Sequence, residues 1–249
     1  MIPKIIHYCW FGGKPLDAKS KKCIESWKKY FPDYEIKEWN ESNFDYKQCR
    51  YSAEAYNEKK WAFVSDYARF KILYEYGGIY FDTDVEVVKD LSPILKNGAF
   101  MGCENPNEQK KKAVNPGLGI ASPAGLPFYK EMTDDYEKSS FYKKDGSLNL
   151  YTVVERTTDN LKKHGLKNEN KIQNIAEINI YPSEYFCPIN MSTGKLETTN
   201  NTYSIHHFAG SWEKKSNKFR GRIYRLINRY LGKNTADFAK KILGRKGNK

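Results

Sequence analysis

Two periods of apolar residues alternate along the first eighty positions, and each change of period marks a new element. Lys4 to Trp10 (KIIHYCW) is a short, nearly continuous apolar run and reads as a buried strand. Phe11-Gly12-Gly13-Lys14-Pro15 is turn chemistry. From Ser20 to Tyr30 the apolar residues Cys23, Ile24 and Trp27 fall on one side of a helix, which Pro32-Asp33 stops. Tyr34 to Trp39 alternates again and predicts a second strand. A strand–helix–strand opening favours an α/β fold with a parallel sheet.

Residues 52–76 predict one or two helices, with Trp61, Val64, Ala68, Ile72 and Leu73 on a shared buried face. Gly77-Gly78 ends that helical stretch. Ile79-Tyr80-Phe81 is then a short apolar strand leading into Asp82-Thr83-Asp84, and Val85 to Val88 continues extended. Asp90 to Leu95 predicts a turn or short helix, Ala99 to Glu104 a strand, and Glu108 to Lys112 an exposed charged loop. Gly117 to Ser122 (GLGIAS) is small and apolar, as expected of a strand close to a ligand or to other backbone. Phe128–Ser139 and Thr152–His164 read as helices, and Ile175–Tyr181 and Thr202–Phe208 as late strands.

A chain of 249 residues predicts one domain, or one domain with an appendage. Charge locates the appendage. Residues 211–249 hold 13 Lys+Arg against 2 Asp+Glu, leaving the other 210 residues almost neutral at 29 against 28. We therefore expect a domain over 1–212 and a basic helical appendage over 213–249, and no nucleic-acid binding by the body of the protein. Five widely spaced cysteines without a Cys-x-x-Cys read as small buried hydrophobes rather than disulfides or a zinc site. The N-terminus shows neither a long apolar stretch nor a cleavage site, and no run approaches the roughly 20 apolar residues of a membrane span. The expected location is cytoplasmic.

Asp82 and Asp84 carry the candidate chemistry. They sit where ligands bind in open α/β sheets, beyond the carboxyl end of a strand. Two carboxylates one residue apart there read either as solvated turn residues or as ligands of Mg²⁺ or Mn²⁺, which bridge carboxylates to phosphate oxygens. Upstream, Asp66 and Arg69 are three apart and share a helix face. They read as a surface ion pair, or as a carboxylate and a guanidinium fork aimed at sugar hydroxyls and a diphosphate.

Four ordered motifs together resemble a known family. These are Ile5–Gly13 (IIHYCWFGG), Ser65–Arg69 (SDYAR), Tyr76–Asp84 (YGGIYFDTD) and His206–Trp212 (HHFAGSW). The chain resembles the DXD-containing family 32 glycosyltransferases, which include capsular-polysaccharide and initiating mannosyltransferases. It looks like a trimmed version of the catalytic domain of clostridial glucosylating toxins.

The resemblance implies a GT-A fold with a Rossmann-like mixed sheet flanked by helices. It also implies a Mn²⁺ (or Mg²⁺) cofactor and retaining transfer of a hexose or N-acetylhexosamine from a nucleotide sugar, a UDP-sugar, to a glycan in surface or capsular polysaccharide synthesis. It implies roles residue by residue. Trp10 stacks on the base, Asp66 and Arg69 hold the donor sugar, and Asp82 contacts donor and metal. Asp84 ligates the metal directly, and His207, five residues before Trp212, is the late metal ligand. Ser211 and Trp212 close over the diphosphate, Asn115 contacts the sugar, and His206 is structural. Asp82, Asp84 and Arg69 form the catalytic set. No nucleophile or general base stands out.

In the tail, Phe219, Ile223, Leu226, Ile227 and Tyr230 form one helical stripe, and Arg222, Arg225 and Arg229 another. Residues 218–249 suit an anionic membrane surface and a lipid-linked acceptor, which places the protein on the inner face of the membrane. The same stripe also suits packing on the domain. Two other classes stay open: a haloacid-dehalogenase-type phosphatase with Asp82 as nucleophile, and a non-catalytic sugar- or membrane-binding module.

Overall fold

The computed structural model describes residues 1–104, 113–210 and 215–238. β1 (Ile5–Cys9), α1 (Ala18–Tyr30) and β2 (Glu35–Trp39) form the expected opening, with β1 and β2 paired in parallel. Asp17 caps α1 by accepting a hydrogen bond from the Ser20 amide. The stretch expected as one or two helices is two, α2 (Arg50–Asn57) and α3 (Trp61–Tyr76). The chain breaks between them where Lys59 adopts a positive φ of 56°. β3 (Gly78–Tyr80), β4 (Val85–Val87), α4 (Ser92–Leu95) and β5 (Phe100–Cys103) follow. Then come β6 (Val114–Ser122), α5 (Pro127–Glu137) and α6 (Val153–Lys163), the last opened by a capping box between Thr152 and Glu155. Ile175–Tyr181, expected as one strand, is a hairpin of β7 (Gln173–Ile175) and β8 (Ile178–Tyr181). Ala176 and Glu177 both take positive φ at its two-residue turn. α7 (Ser183–Phe186), β9 (Ser204–His206) and α8 (Lys215–Leu231) complete the order.

Seven strands form one sheet in the order β2-β1-β3-β6-β5-β8-β7, and β4 pairs with β9 in a second, two-stranded ribbon. The opening predicts a parallel sheet, and β1–β2, β1–β3 and β5–β8 are parallel. β6, however, runs antiparallel to both its neighbours, which makes the sheet mixed. Side-chain alternation feeds two cores. Ile6, Tyr8, Ile79 and Phe81 face α1 with Trp27, whereas Cys9 and Tyr80 face α2, α3 and α5 with Tyr67, Phe70 and Tyr136. Burying each such large apolar side chain contributes about 1.5–3 kcal/mol.

Three local features fix β3 and the turn that follows it. Gly77 and Gly78 both have positive φ, and a Cβ on Gly78 would lie 2.7 Å from the Ile5 carbonyl, so only glycine passes from α3 into the sheet here. The Phe81 amide donates to the His7 carbonyl at 3.1 Å, holding the strand end beside β1. The Trp27 indole donates to the Val85 carbonyl at 2.8 Å, and the Val87 amide donates to Ser26 Oγ at 2.9 Å. The segment between, residues 82–84, is thus anchored at both ends.

α8 meets the domain where Asn228 donates to the Ser192 carbonyl and the Arg225 stem lies over Gly194. Phe219, Leu226 and Tyr230 of the apolar stripe face outward, at 65%, 52% and 73% exposure. Among the described residues no helix is long and apolar enough to cross a membrane.

Candidate donor and metal site

Asp82, Thr83 and Asp84 form a turn at the end of β3, closed by the Val85 amide donating to the Asp82 carbonyl at 3.0 Å. β9 lies antiparallel beside β4 with Val85 opposite His206, which brings that histidine to the same turn. Asp82, Asp84 and His206 each offer one ligand atom, and these atoms all lie within 4.8 Å of one another. His206 Nε2 is 3.1 Å from Asp84 Oδ1 and 3.9 Å from Asp82 Oδ2. Asp84 Oδ2 accepts from the Ala209 amide at 2.6 Å, and the Asp84 carbonyl accepts from the His207 amide at 3.0 Å.

The geometry places His206, rather than the expected His207, beside the two aspartates. Successive residues on a strand point to opposite faces. His206 turns inward, while His207 turns outward and pairs with Glu86 Oε2 at 2.7 Å.

Asp66 and Arg69 are buried rather than exposed, joined at 2.8 Å between Oδ1 and Nη2. The same Nη2 is 3.3 Å from Asp82 Oδ1, which also accepts from the Tyr80 hydroxyl at 3.2 Å. Arg69 therefore ties the SDYAR helix to the DXD turn. Its Nη1 is buried without a protein partner.

Residues 17–101 match the family model described as "Glycosyltransferase sugar-binding region containing DXD motif". That stretch is similar to the sugar-binding region of DXD glycosyltransferases. Inositol phosphoceramide mannosyltransferase 3 of Schizosaccharomyces pombe is 31% identical over 151 residues, 56% of this chain and 38% of that protein. The chain thus spans about two fifths of that relative. An uncharacterised glycosyltransferase, L373, of Acanthamoeba polyphaga mimivirus is 26% identical over 224 residues, 85% of this chain and 84% of that protein. Among solved structures, the PaToxG glycosyltransferase superposes with a TM-score of 0.47 at 23% identity, over 65% of this chain and 69% of that one.

Trp10 follows β1 at the same carboxyl edge as Asp82, half-buried, its indole donating to the Lys14 carbonyl. Asn115 lies on β6 with its amide engaged at both ends, donating to Glu104 Oε1 at 2.8 Å and accepting from the Gly117 amide at 2.7 Å. It reaches the DXD turn through Gly117. Ser211 and Trp212 lie outside the described residues.

One site residue escapes the motifs. A Cβ on Gly117 would sit 2.2 Å from Asp82 Oδ2, so Asp82 occupies space that only a glycine leaves open. The run of small residues on β6 was the signal for such a close approach.

Burial and neighbouring charges shift the ionisable groups of the site. Burial pushes the Asp66 carboxyl up to about 7 even though Arg69 pulls it down. Burial likewise raises Asp82 against the pull of Arg69. Burial alone would raise Asp84 too, but the His206 imidazole and the Ala209 amide hold it well below the usual carboxylate range. Burial would lower His206, yet the two aspartates raise it. All five cysteines are buried, and burial pushes the Cys9 thiol, beside Arg69 and Tyr80, up to about 12. It is no nucleophile.

The donor set fits a divalent cation. Opposed ligands of an ion bound at 2.0–2.1 Å stand about 4.2 Å apart, close to the 4.8 Å limit that encloses these atoms. Two carboxylates favour Mg²⁺ or Mn²⁺, and an imidazole shifts the preference toward the transition metal.

Proposed function

We propose that the chain is a metal-dependent, retaining glycosyltransferase. It moves a hexose or N-acetylhexosamine from a UDP-sugar to a glycan acceptor in surface or capsular polysaccharide synthesis. The observation that carries this reading is the convergence of Asp82, Asp84 and His206 at one strand end, with buried Arg69 bound to Asp82. A Mn²⁺ ion held by these three residues would supply positive charge where negative charge grows on the leaving diphosphate.

The chain's own residues do the positioning. Trp10 offers a ring face to the base. Arg69, with Nη1 uncommitted, offers its guanidinium edge to the donor, and Asp66 fixes that guanidinium in place. Ser211 and Trp212 close the diphosphate end. Asn115 holds the β6 backbone against Asp82. The acceptor hydroxyl attacks on the face the diphosphate leaves. The leaving diphosphate oxygen takes its proton. Catalysis is then orientation plus electrostatics.

Support for a lipid-linked acceptor comes from the tail and one relative. The fission-yeast relative's name pairs mannose transfer with inositol phosphoceramide, a phosphate-bearing lipid. The basic residues of 218–249 suit such an acceptor at the inner face of an anionic membrane.

A panel of UDP- and GDP-sugars tested with Mn²⁺ for hydrolysis, and for thermal stabilisation by mass action, decides the matter. We expect one UDP-sugar to be bound and slowly hydrolysed, and Asp84→Ala to abolish the turnover while leaving the fold intact. Neither binding nor hydrolysis across the panel would leave a non-catalytic binding module. The family match over 17–101 sets the phosphatase alternative aside.

A further inference from the structure

The appendage holds a feature that a merely basic tail does not require. Arg222, Arg225 and Arg229 follow one another at i, i+3 and i+7 on α8, and so share a face. With Leu226 they line a cleft of about 250 Å³ against the turn at Thr193 and Gly194. That turn is held rigid: the Gly194 amide donates to the Asn190 carbonyl at 2.7 Å, and the Ser192 and Thr193 amides donate to Asn190 Oδ1. No carboxylate among the described residues lies within 4.0 Å of the three guanidinium groups, although every buried arginine of this protein has one. Three like charges on one helix stripe repel one another unless an anion sits between them.

The surroundings identify the anion. The cleft is smaller than the roughly 300 Å³ at which drug-sized sites begin, which suits a single tetrahedral phosphate group held by guanidinium forks. The same edge of α8 presents Phe219, Leu226 and Tyr230 to solvent. An ordinary soluble helix turns such a stripe inward; here Asn228 and Arg225 meet the domain, Ile223 and Ile227 are half-buried, and Phe219, Leu226 and Tyr230 face out. Phosphate-binding groups beside outward apolar side chains match one chemistry, an amphiphile whose phosphate lies at the level of the guanidinium groups and whose chains lie at the level of the rings.

We propose that the α8 cleft is a specific binding site for the phosphate of an anionic phospholipid, formed by Arg222, Arg225 and Arg229, with Phe219, Leu226 and Tyr230 entering the acyl boundary beside it. This rests on the membrane-surface reading above and sharpens it from diffuse attraction to a site with a stereochemical demand.

The test uses the full chain and co-sedimentation with vesicles of phosphatidylcholine alone or with phosphatidylglycerol added. Wild type should bind the anionic vesicles and leave the neutral ones in solution. Each arginine near an anionic surface accounts for roughly fivefold in affinity, so Arg222→Gln/Arg225→Gln/Arg229→Gln should weaken binding about 100-fold. The triple Arg→Lys variant keeps the charge and loses the forks, and it should still bind severalfold more weakly than wild type. Donor hydrolysis should be unchanged in both, which reports that the catalytic domain is folded. If wild type ignores anionic vesicles, the membrane reading falls and this site with it. If wild type binds and the Lys variant binds equally, the membrane reading stands and the cleft is overturned. Inorganic phosphate that binds the cleft tightly but does not compete with vesicles would also overturn the lipid assignment.

Discussion

Gly117→Ala is the sharpest perturbation the site offers, because it touches Asp82 without removing any charged group. The added Cβ would stand 2.2 Å from Asp82 Oδ2 and 3.0 Å from Asn115 Oδ1, where ordinary contact begins near 3.4 Å. The carboxylate must therefore retreat by about 1 Å, the scale at which misplaced groups cost on the order of 100-fold in rate. Retreat is hindered, since Oδ1 is held by Arg69 Nη2 at 3.3 Å and by the Tyr80 hydroxyl at 3.2 Å. What Asp82 does not yield must come from β6, and overpacking of that kind costs about 1–3 kcal/mol. For a domain of this size each such kcal/mol lowers Tm by about 2–4 °C. The assay is Mn²⁺-dependent hydrolysis of the donor found in the panel, beside a thermal melt with and without Mn²⁺. We expect turnover down about 100-fold and stabilisation by Mn²⁺ reduced, with the fold retained. Gly221→Ala is the control, for its Cβ would meet only Arg225 Nη1 at 3.7 Å in an exposed helix. Turnover of Gly117→Ala within about threefold of wild type would show that Asp82 need not stand where it does, and the argument from close approach would fail.

Three further outcomes follow from the same geometry. His206→Ala should weaken Mn²⁺ affinity, read by calorimetry, by at least the 10–100-fold seen when outer partners of a metal are lost. His207→Ala should leave it within about twofold, because only the ion pair with the exposed Glu86 goes; the reverse ranking would restore His207 as the ligand. The third outcome concerns pH and stability. His7 is fully buried, with Nε2 donating to the Gly77 carbonyl at 2.9 Å and Nδ1 accepting from the Trp39 indole at 3.0 Å. Burial lowers its pKa from the ordinary 6.5 to about 4. The unfolded chain therefore binds a proton that the folded one refuses, and stability present above pH 6.5 is lost as pH falls toward 4, by about 3 kcal/mol. Urea midpoints across that window should fall steeply for wild type and less for His7→Gln; parallel slopes would refute the assignment.

How far the site was legible depended on whether its residues acted locally or through pairing. Asp82, Asp84, Asp66 and Arg69 could be found because each sits at a position fixed by its own segment, a strand end or an i, i+3 helix face. The Gly77-Gly78 stop was legible for the same reason: two consecutive positive φ angles demand glycine. His206 was not. Whether a strand residue faces inward depends on the partner it pairs with. Here β4 supplies the register, with Val85 opposite His206. Counting back from Trp212 selects the residue on the wrong face by one position. The direction of β6 was hidden in the same way. Its small residues announced a close approach, but nothing in residues 114–122 says that the strand runs antiparallel between two parallel pairs. The break at Lys59, inside a stretch of good helix formers, is imposed by the packing of α2 on α3 and by hydrogen bonds from residues 59 and 60 back to Tyr56 and Ala55.

The charges at the site show why those pairings matter. Asp66 and Asp82 share one guanidinium, that of Arg69, while Asp84 pairs with His206. Burial makes the resulting deficit of positive charge costly, and the groups respond by holding protons, with Asp66 pushed up to about 7 and His206 raised by Asp84 and Asp82. A divalent cation brings two positive charges to the same place, and an imidazole must shed its proton to ligate it. Metal loading should therefore release protons into a weakly buffered solution near neutral pH. An inward His206 thus serves both conditions, as a cation beside the aspartates and as a neutral ligand. The outward His207, paired with Glu86 at the surface, can do neither for them.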